Sequence, residues 1–139
     1  MRAKRVGAGG ILYAFEPSDV YRDKLIRKIP VNVYQHVVVA DTALCEKDGI
    51  QYFRLEDGTT IDNEQEGTVC VRCAKLDSPE LKLEITKLDV VNIDIEEAEL
   101  DRLIGMESPL RQYMPILIME IHTQYLSERN RSAGLVNDF

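Results

Sequence analysis

The sequence predicts an α/β protein built on a mainly parallel sheet with an antiparallel decoration. Three observations predict it. Short, continuously apolar runs recur along the chain: "ILYAF" at 11–15, "VVV" at 37–39, "LDVVNID" at 88–94 and "PILIMEIH" at 115–122. Such runs are typical of parallel strands buried on both faces. Helical patterns alternate with them, as crossover connections require. Between the second and third runs lies a stretch of alternating residues with two Asp-Gly dipeptides, which are antiparallel hairpin signals.

The first strand, Ile11 to Phe15, runs into Glu16-Pro17. Ser18 or Asp19 then caps a helix whose apolar positions Val20, Tyr21, Leu25 and Ile29 follow helical spacing, and Pro30 is expected to stop it. Val37 to Val39 form the second buried strand. The turn signals Asp48-Gly49 and Asp57-Gly58 bracket the hairpin, and Thr68 to Leu76 adds a further antiparallel strand. Ser78-Pro79-Glu80 can open a short helix, while Leu81, Leu83 and Ile85 alternate like a strand. The third buried strand is followed by an acidic helix from Glu96 to Ile104, which Gly105 ends as a helix-terminating glycine. Ser108-Pro109 begins another helix through about Met114, and "PILIMEIH" is the fourth buried strand. The tail from Arg129 is polar and is expected to fray.

The 139 residues suffice for one domain with a sizeable core. A formal net charge of -7, with only Arg2, Lys4 and Arg5 locally basic, opposes binding to a phosphate backbone, so no nucleic acid partner is expected. No apolar run reaches the roughly 20 residues that cross a bilayer, and the N-terminus has no signal-peptide stretch, so the expected location is cytoplasmic, with no membrane partner. Three cysteines, an odd number, argue against a disulfide framework. Cys70 and Cys73 form a C-x-x-C inside an expected strand, where residues three apart point to opposite faces and cannot share a metal ion. No metal site is expected, and the cysteines read as structural.

Glu16 stands out because it ends an apolar strand. A carboxylate at the carboxyl end of a parallel strand is where nucleotide-binding α/β folds hold a ribose. Four blocks then fall in order: "YAFEPSDVYRDKL", "TALCEKDGIQYF", "VVNIDIEEAELDRLIG" and "YMPILIMEIH". Together they resemble FkbM-type methyltransferases, which show an A-F-E-P strand end, an A-L-x-x-x-D-G hairpin, a D-V-E-G-A-E block and a closing E-I-H. The resemblance runs from about residue 9 to residue 123 and implies a Rossmann-like sheet and S-adenosylmethionine as cofactor. It also implies methyl transfer, O-methylation of a small-molecule or sugar hydroxyl being the expected chemistry. The alternative is a non-catalytic methyltransferase-like domain that keeps the sheet for protein interaction.

By that resemblance Glu16, with Pro17 beside it, binds the cofactor, the carboxylate taking both ribose hydroxyls. A carboxylate can accept two hydroxyl hydrogen bonds at once. Asp41, just past the second strand, lies where the family approaches the adenine ring; it can accept from the exocyclic amine or serve as a loop cap. Asp94 ends the third strand near the expected methyl group, and Asp94, Glu96 and His122 are the catalytic candidates, placed to orient an acceptor hydroxyl or take its proton. Glu96, Glu97 and Glu99 equally suit an acidic first turn of a helix. Glu120 and His122 close the last block, where His122 also reads as an ordinary surface residue.

Two departures from the family pattern stand out. Glu97 replaces the glycine of D-V-E-G-A-E with a long charged side chain. The D-x-G-x-x-G-type loop expected before the Glu16 strand is not found, since only nine residues precede Gly10. "VGAGG" runs straight into a strand and reads as the turn between a helix and that strand. The expectation is therefore a domain truncated at both ends, lacking its first strand and glycine loop. A sheet missing that strand leaves unpaired edges, which leads to an expected homo-oligomer.

Overall fold

A computed structural model describes residues 3–7, 9–32, 34–54, 60–61, 63–93 and 103–119. By its internal contacts the chain falls into two compact units, Met1–Ala43 and Leu44–Phe139. The architecture is α/β, with parallel pairs of strands and one antiparallel sheet, a pattern compatible with a Rossmann-like fold.

The first unit begins with a one-turn helix, α1 (Ala3–Val6), which gives way to Gly7 in the left-handed region at φ +72°. Glycine reaches that conformation without steric cost, and Gly9 and Gly10 then turn the chain toward β1. Strand β1 (Leu12–Phe15) then leads to helix α2 (Asp19–Val31) and strand β2 (Val37–Ala40). β1 and β2 pair in parallel, from Leu12 opposite Val37 to Phe15 opposite Ala40. His36 Nε2 donates to the Ala3 carbonyl at 3.0 Å, tying α1 to the residue before β2.

α2 does not stop at Pro30. The proline sits inside its last turn, where the missing N–H and the ring disturb only one carbonyl, and the helix continues to Val31. Asn32 ends it instead: its backbone N–H bonds the Lys28 and Ile29 carbonyls, and its side-chain amide donates to Lys28 O at 2.6 Å. No α2 residue is buried; Val20 and Tyr21 are exposed, and the Lys24 ammonium lies 5.1 Å from the Tyr21 ring centre.

The second unit carries a four-stranded sheet of β3 (Ala43–Leu44, at the junction), β4 (Gly49–Arg54), β5 (Thr60–Ile61) and β6 (Thr68–Ala74), in the order β3-β6-β4-β5. β4 pairs antiparallel with β6, from Gly49 opposite Cys73 to Arg54 opposite Thr68, and antiparallel with β5. The hairpin is thus present. Asp57-Gly58 lies outside the described residues, while Asp48-Gly49 leads into β4, with Gly49 at φ +123°. The Asp48 carboxylate accepts from Lys75 N at 2.7 Å and Ser78 Oγ at 3.0 Å, closing the far end of β6.

Pro79–Leu81 is a single 3₁₀ turn capped by Ser78, whose Oγ accepts from Glu80 N, and the residues up to Asp89 form no strand. Leu103 and Ile104 are helical and Gly105 turns away from them. Helix α3 (Glu107–Tyr113) opens one residue before Ser108. Strands β7 (Val90–Ile93) and β8 (Ile116–Met119) pair in parallel from Val90 opposite Ile116 to Ile93 opposite Met119. Both read as strands buried on two faces, but β7 buries only Val91 and Ile93 and exposes Val90, while β8 exposes Ile116 and Ile118 and leaves Leu117 and Met119 half-buried. Alternation along a strand, not overall apolarity, sorts these side chains.

The cysteines need a correction. Cys70 is exposed and Cys73 buried, on opposite faces of β6 as alternation requires. Cys73 is nevertheless bonded, in a disulfide to Cys45 with a Cα–Cα separation of 5.5 Å. An odd cysteine count left one thiol over; it did not forbid a single bridge. Cys45 reaches Cys73 because its N–H donates to Ala74 O at 2.9 Å, continuing the β3–β6 pairing past Leu44.

Candidate cofactor site

The candidate site lies in the first unit, at the carboxyl ends of β1 and β2. Parallel pairing sets Phe15 opposite Ala40, and Glu16 N donates to Ala40 O at 3.0 Å. Glu16 and Asp41 therefore leave the two strands side by side, on chains spaced by about 4.8 Å. Open α/β sheets bind their ligands outside the carboxyl ends of their strands.

The turn after β1 holds Glu16 in place. Pro17 has no N–H, so the first backbone donor after Glu16 is Ser18 N, and it bonds Glu16 Oε1 at 3.0 Å. Ser18 caps α2 by its extended backbone, with no side-chain cap bond, and Asp19 occupies the first turn, where a carboxylate suits the helix dipole. Arg22 completes the arrangement. Its guanidinium donates to the Glu16 carbonyl at 3.3 Å and the Pro17 carbonyl at 3.1 Å, and it pairs with Asp19. One planar fork thus ties Glu16, Pro17 and Asp19 of the turn together. The sequence reading missed Arg22. The available signal was its place one turn beyond the Ser18 cap, where Arg22 N makes the first helical bond to Ser18 O at 2.8 Å. Arg22→Ala should cost about 1–2 kcal/mol by freeing two strand-end carbonyls. Chemical denaturation of wild type and variant checks this, and an unchanged midpoint and slope would remove Arg22 from the turn's support.

Glu16 is half-buried and Asp41 exposed. The buried Thr42 hydroxyl donates to Asp41 Oδ1 at 3.2 Å, which fixes one carboxylate oxygen toward the chain. A carboxylate offers about four acceptor positions. The Ser18 bond engages one on Glu16 and so orients the group without exhausting it. The pair is suited to a ligand that presents hydroxyl or amine donors, such as a nucleoside.

Of the residues expected to build the site, the structure brings together Glu16, Pro17 and Asp41. Pro17 serves the turn through its ring and its carbonyl. Asp94, Glu96 and His122 lie outside the described residues, as do Glu97, Glu99 and Glu120. Among the described residues no cluster of His, Cys, Asp and Glu could hold a metal ion, and no helix is long and apolar enough to cross a membrane.

Comparison with known proteins gives one match. The family model described as the methyltransferase FkbM domain matches residues 1–139. No curated protein and no solved structure matches the chain.

Proposed function

We propose that this chain, which belongs to the methyltransferase FkbM domain family, binds S-adenosylmethionine at the β1–β2 strand ends and serves O-methylation of a small-molecule or sugar hydroxyl. One observation carries the proposal: Glu16, held by Ser18 N, emerges from β1 directly beside the residue that leads into Asp41. That arrangement fits the nucleoside half of the cofactor. Glu16 would accept from the ribose hydroxyls and Asp41 from the adenine amine, both donors of the kind carboxylates hold well. The bound cofactor would supply an electrophilic methyl group. The protein's own part is then to orient an acceptor hydroxyl and take up its proton. We assign that to Asp94, Glu96 and His122 on the strength of their places in the family's motifs. Calorimetric titration of the chain with S-adenosylhomocysteine, which keeps the nucleoside and cannot react, tests the cofactor reading. One-to-one binding is expected; no heat at millimolar ligand would refute it.

A second reading concerns partners. Among the described residues β1 pairs only with β2, and β7 only with β8. Two-stranded parallel pairs are marginal alone, and parallel strands are ordinarily covered on both faces. Here Val38, Val90, Ile116 and Ile118 are exposed. We infer self-association, with a strand edge of one copy meeting another's. Light scattering over a concentration series should show a mass that rises above 15.8 kDa. A strictly monomeric particle with well-dispersed amide signals would defeat it.

A further inference from the structure

We infer that Cys45 and Cys73 form a redox-dependent staple that sets the stability of the hairpin sheet. Four observations converge on it. Both cysteines are buried, at 1% and 0% exposure, and their 5.5 Å Cα separation lies in the range a disulfide spans without backbone movement. β3 has only two residues, so it holds to β6 by a short ladder that the bridge reinforces covalently. The bridged positions are 28 residues apart and enclose all of β4 and β5, so the link removes much of the unfolded chain's freedom. Finally, Gly105 packs onto the Cys45 backbone and accepts from Leu76 N at 2.9 Å, next to the buried Leu103 and Met106. The bridge therefore fixes one wall of this unit's core.

Cys70, exposed on the other face of β6, is the leftover thiol and takes no part. In the oxidation the two thiols give up two protons and two electrons as the S–S bond forms. A small-molecule disulfide such as glutathione disulfide takes them up and leaves as two thiols, through a mixed disulfide on one cysteine. With both sulfurs buried, exchange in either direction requires the β3–β6 corner to open first. The bridge should then form during folding and persist once the sheet has closed, yielding slowly to reductant. Disulfides last in oxidising compartments and are rare where glutathione and thioredoxin keep thiols reduced. The state of this pair thus couples the stability of the unit to its surroundings.

The test uses the full chain refolded in glutathione disulfide and, in parallel, in dithiothreitol. After oxidation, thiol titration in denaturant should find one free thiol of the three cysteines, blocked by a Cys70→Ser substitution. The oxidised form should melt on the order of 10 °C above the reduced form, the effect expected for a bridge closing a loop of this length. The Cys70→Ser variant should keep the full difference. A Cys45→Ala/Cys73→Ala double variant should lose it, but the wild-type thiol count and melting shift decide the matter even if that variant fails to fold. Three titratable thiols after glutathione disulfide treatment would overturn the staple, as would a dimer cross-linked through Cys70 in place of the internal bridge. Equal melting temperatures in the two conditions would overturn its effect on stability.

Discussion

A Glu16→Ala variant should bind S-adenosylhomocysteine roughly 5- to 150-fold more weakly than the wild type, a loss of about 1–3 kcal/mol. The range follows from what the methyl group cannot do. It accepts no hydroxyl, so the ribose donors would enter the site without a charged partner, and hydrogen bonds to charged groups are the costlier ones to lose. Glu16→Gln provides the internal control. The amide keeps the side chain's size and one acceptor oxygen, so it should retain the bond from Ser18 N and lose affinity by a smaller factor. Asp41→Asn should cost less than Glu16→Ala, because Asp41 is exposed and water competes for its oxygens. Because Glu16 also anchors the turn through Ser18 N, each variant's melting curve belongs beside its titration. Unchanged affinity in a folded Glu16→Ala protein would remove Glu16 from the cofactor site. Weaker binding of equal size in Arg22→Ala and Glu16→Ala would show that the turn's shape, and not the carboxylate, governs affinity.

The strands around Glu16 were legible in the sequence where a local rule governs them. Apolar runs gave β1, β2, β7 and β8, and the position of Glu16 directly after such a run identified it as a strand-end carboxylate without any contact information. Parallel pairing of β1 with β2 then brought Asp41 beside it. The misses have long-range causes. Whether a strand is buried on one face or both depends on what covers it, which the "LDVVNID" and "PILIMEIH" runs do not encode. Pro30 looked like a helix stop because its local preference is strong. In the last turn, however, that preference costs only one hydrogen bond, and Asn32 supplies the real ending. β3 is too short to show a pattern. Without it, Cys45 looked isolated, so the partner of Cys73 could not be found from a spacing of 28 residues. Arg22 acts on the Glu16 and Pro17 carbonyls, and its only marker in the sequence is its place one turn beyond the Ser18 cap.

Gly105 illustrates the same lesson at higher stakes, and Gly105→Ala should be among the most damaging single-methyl changes in the protein. The sequence presents Gly105 as a helix terminator, a role that calls for a left-handed backbone. The structure gives it another reason. Gly105 is not among the described glycines with positive φ, which are Gly7, Gly49 and Gly67. A side-chain carbon built on it would instead collide with the carbonyl of Cys45 and come within 3.2 Å of the Cys45 nitrogen. These are backbone atoms, which cannot rotate aside, and Cys45 is held by its disulfide and its bond to Ala74 O. Gly105 cannot retreat without breaking its own bond to Leu76 N. Overpacking of this kind costs about 3 kcal/mol, or roughly 10 °C of melting temperature for a chain of this size. Gly49→Ala is the contrasting case: nothing lies within 4 Å of the added carbon, so only the backbone strain of alanine at φ +123° remains, about 2 kcal/mol. The two causes separate further under reduction. Opening the Cys45–Cys73 bridge lets the Cys45 backbone yield, so the Gly105→Ala penalty should shrink in dithiothreitol, a coupling that a double-mutant cycle with the cysteine variants would measure. A Gly105→Ala melting shift under about 2 °C would mean that the two backbones do not meet in solution.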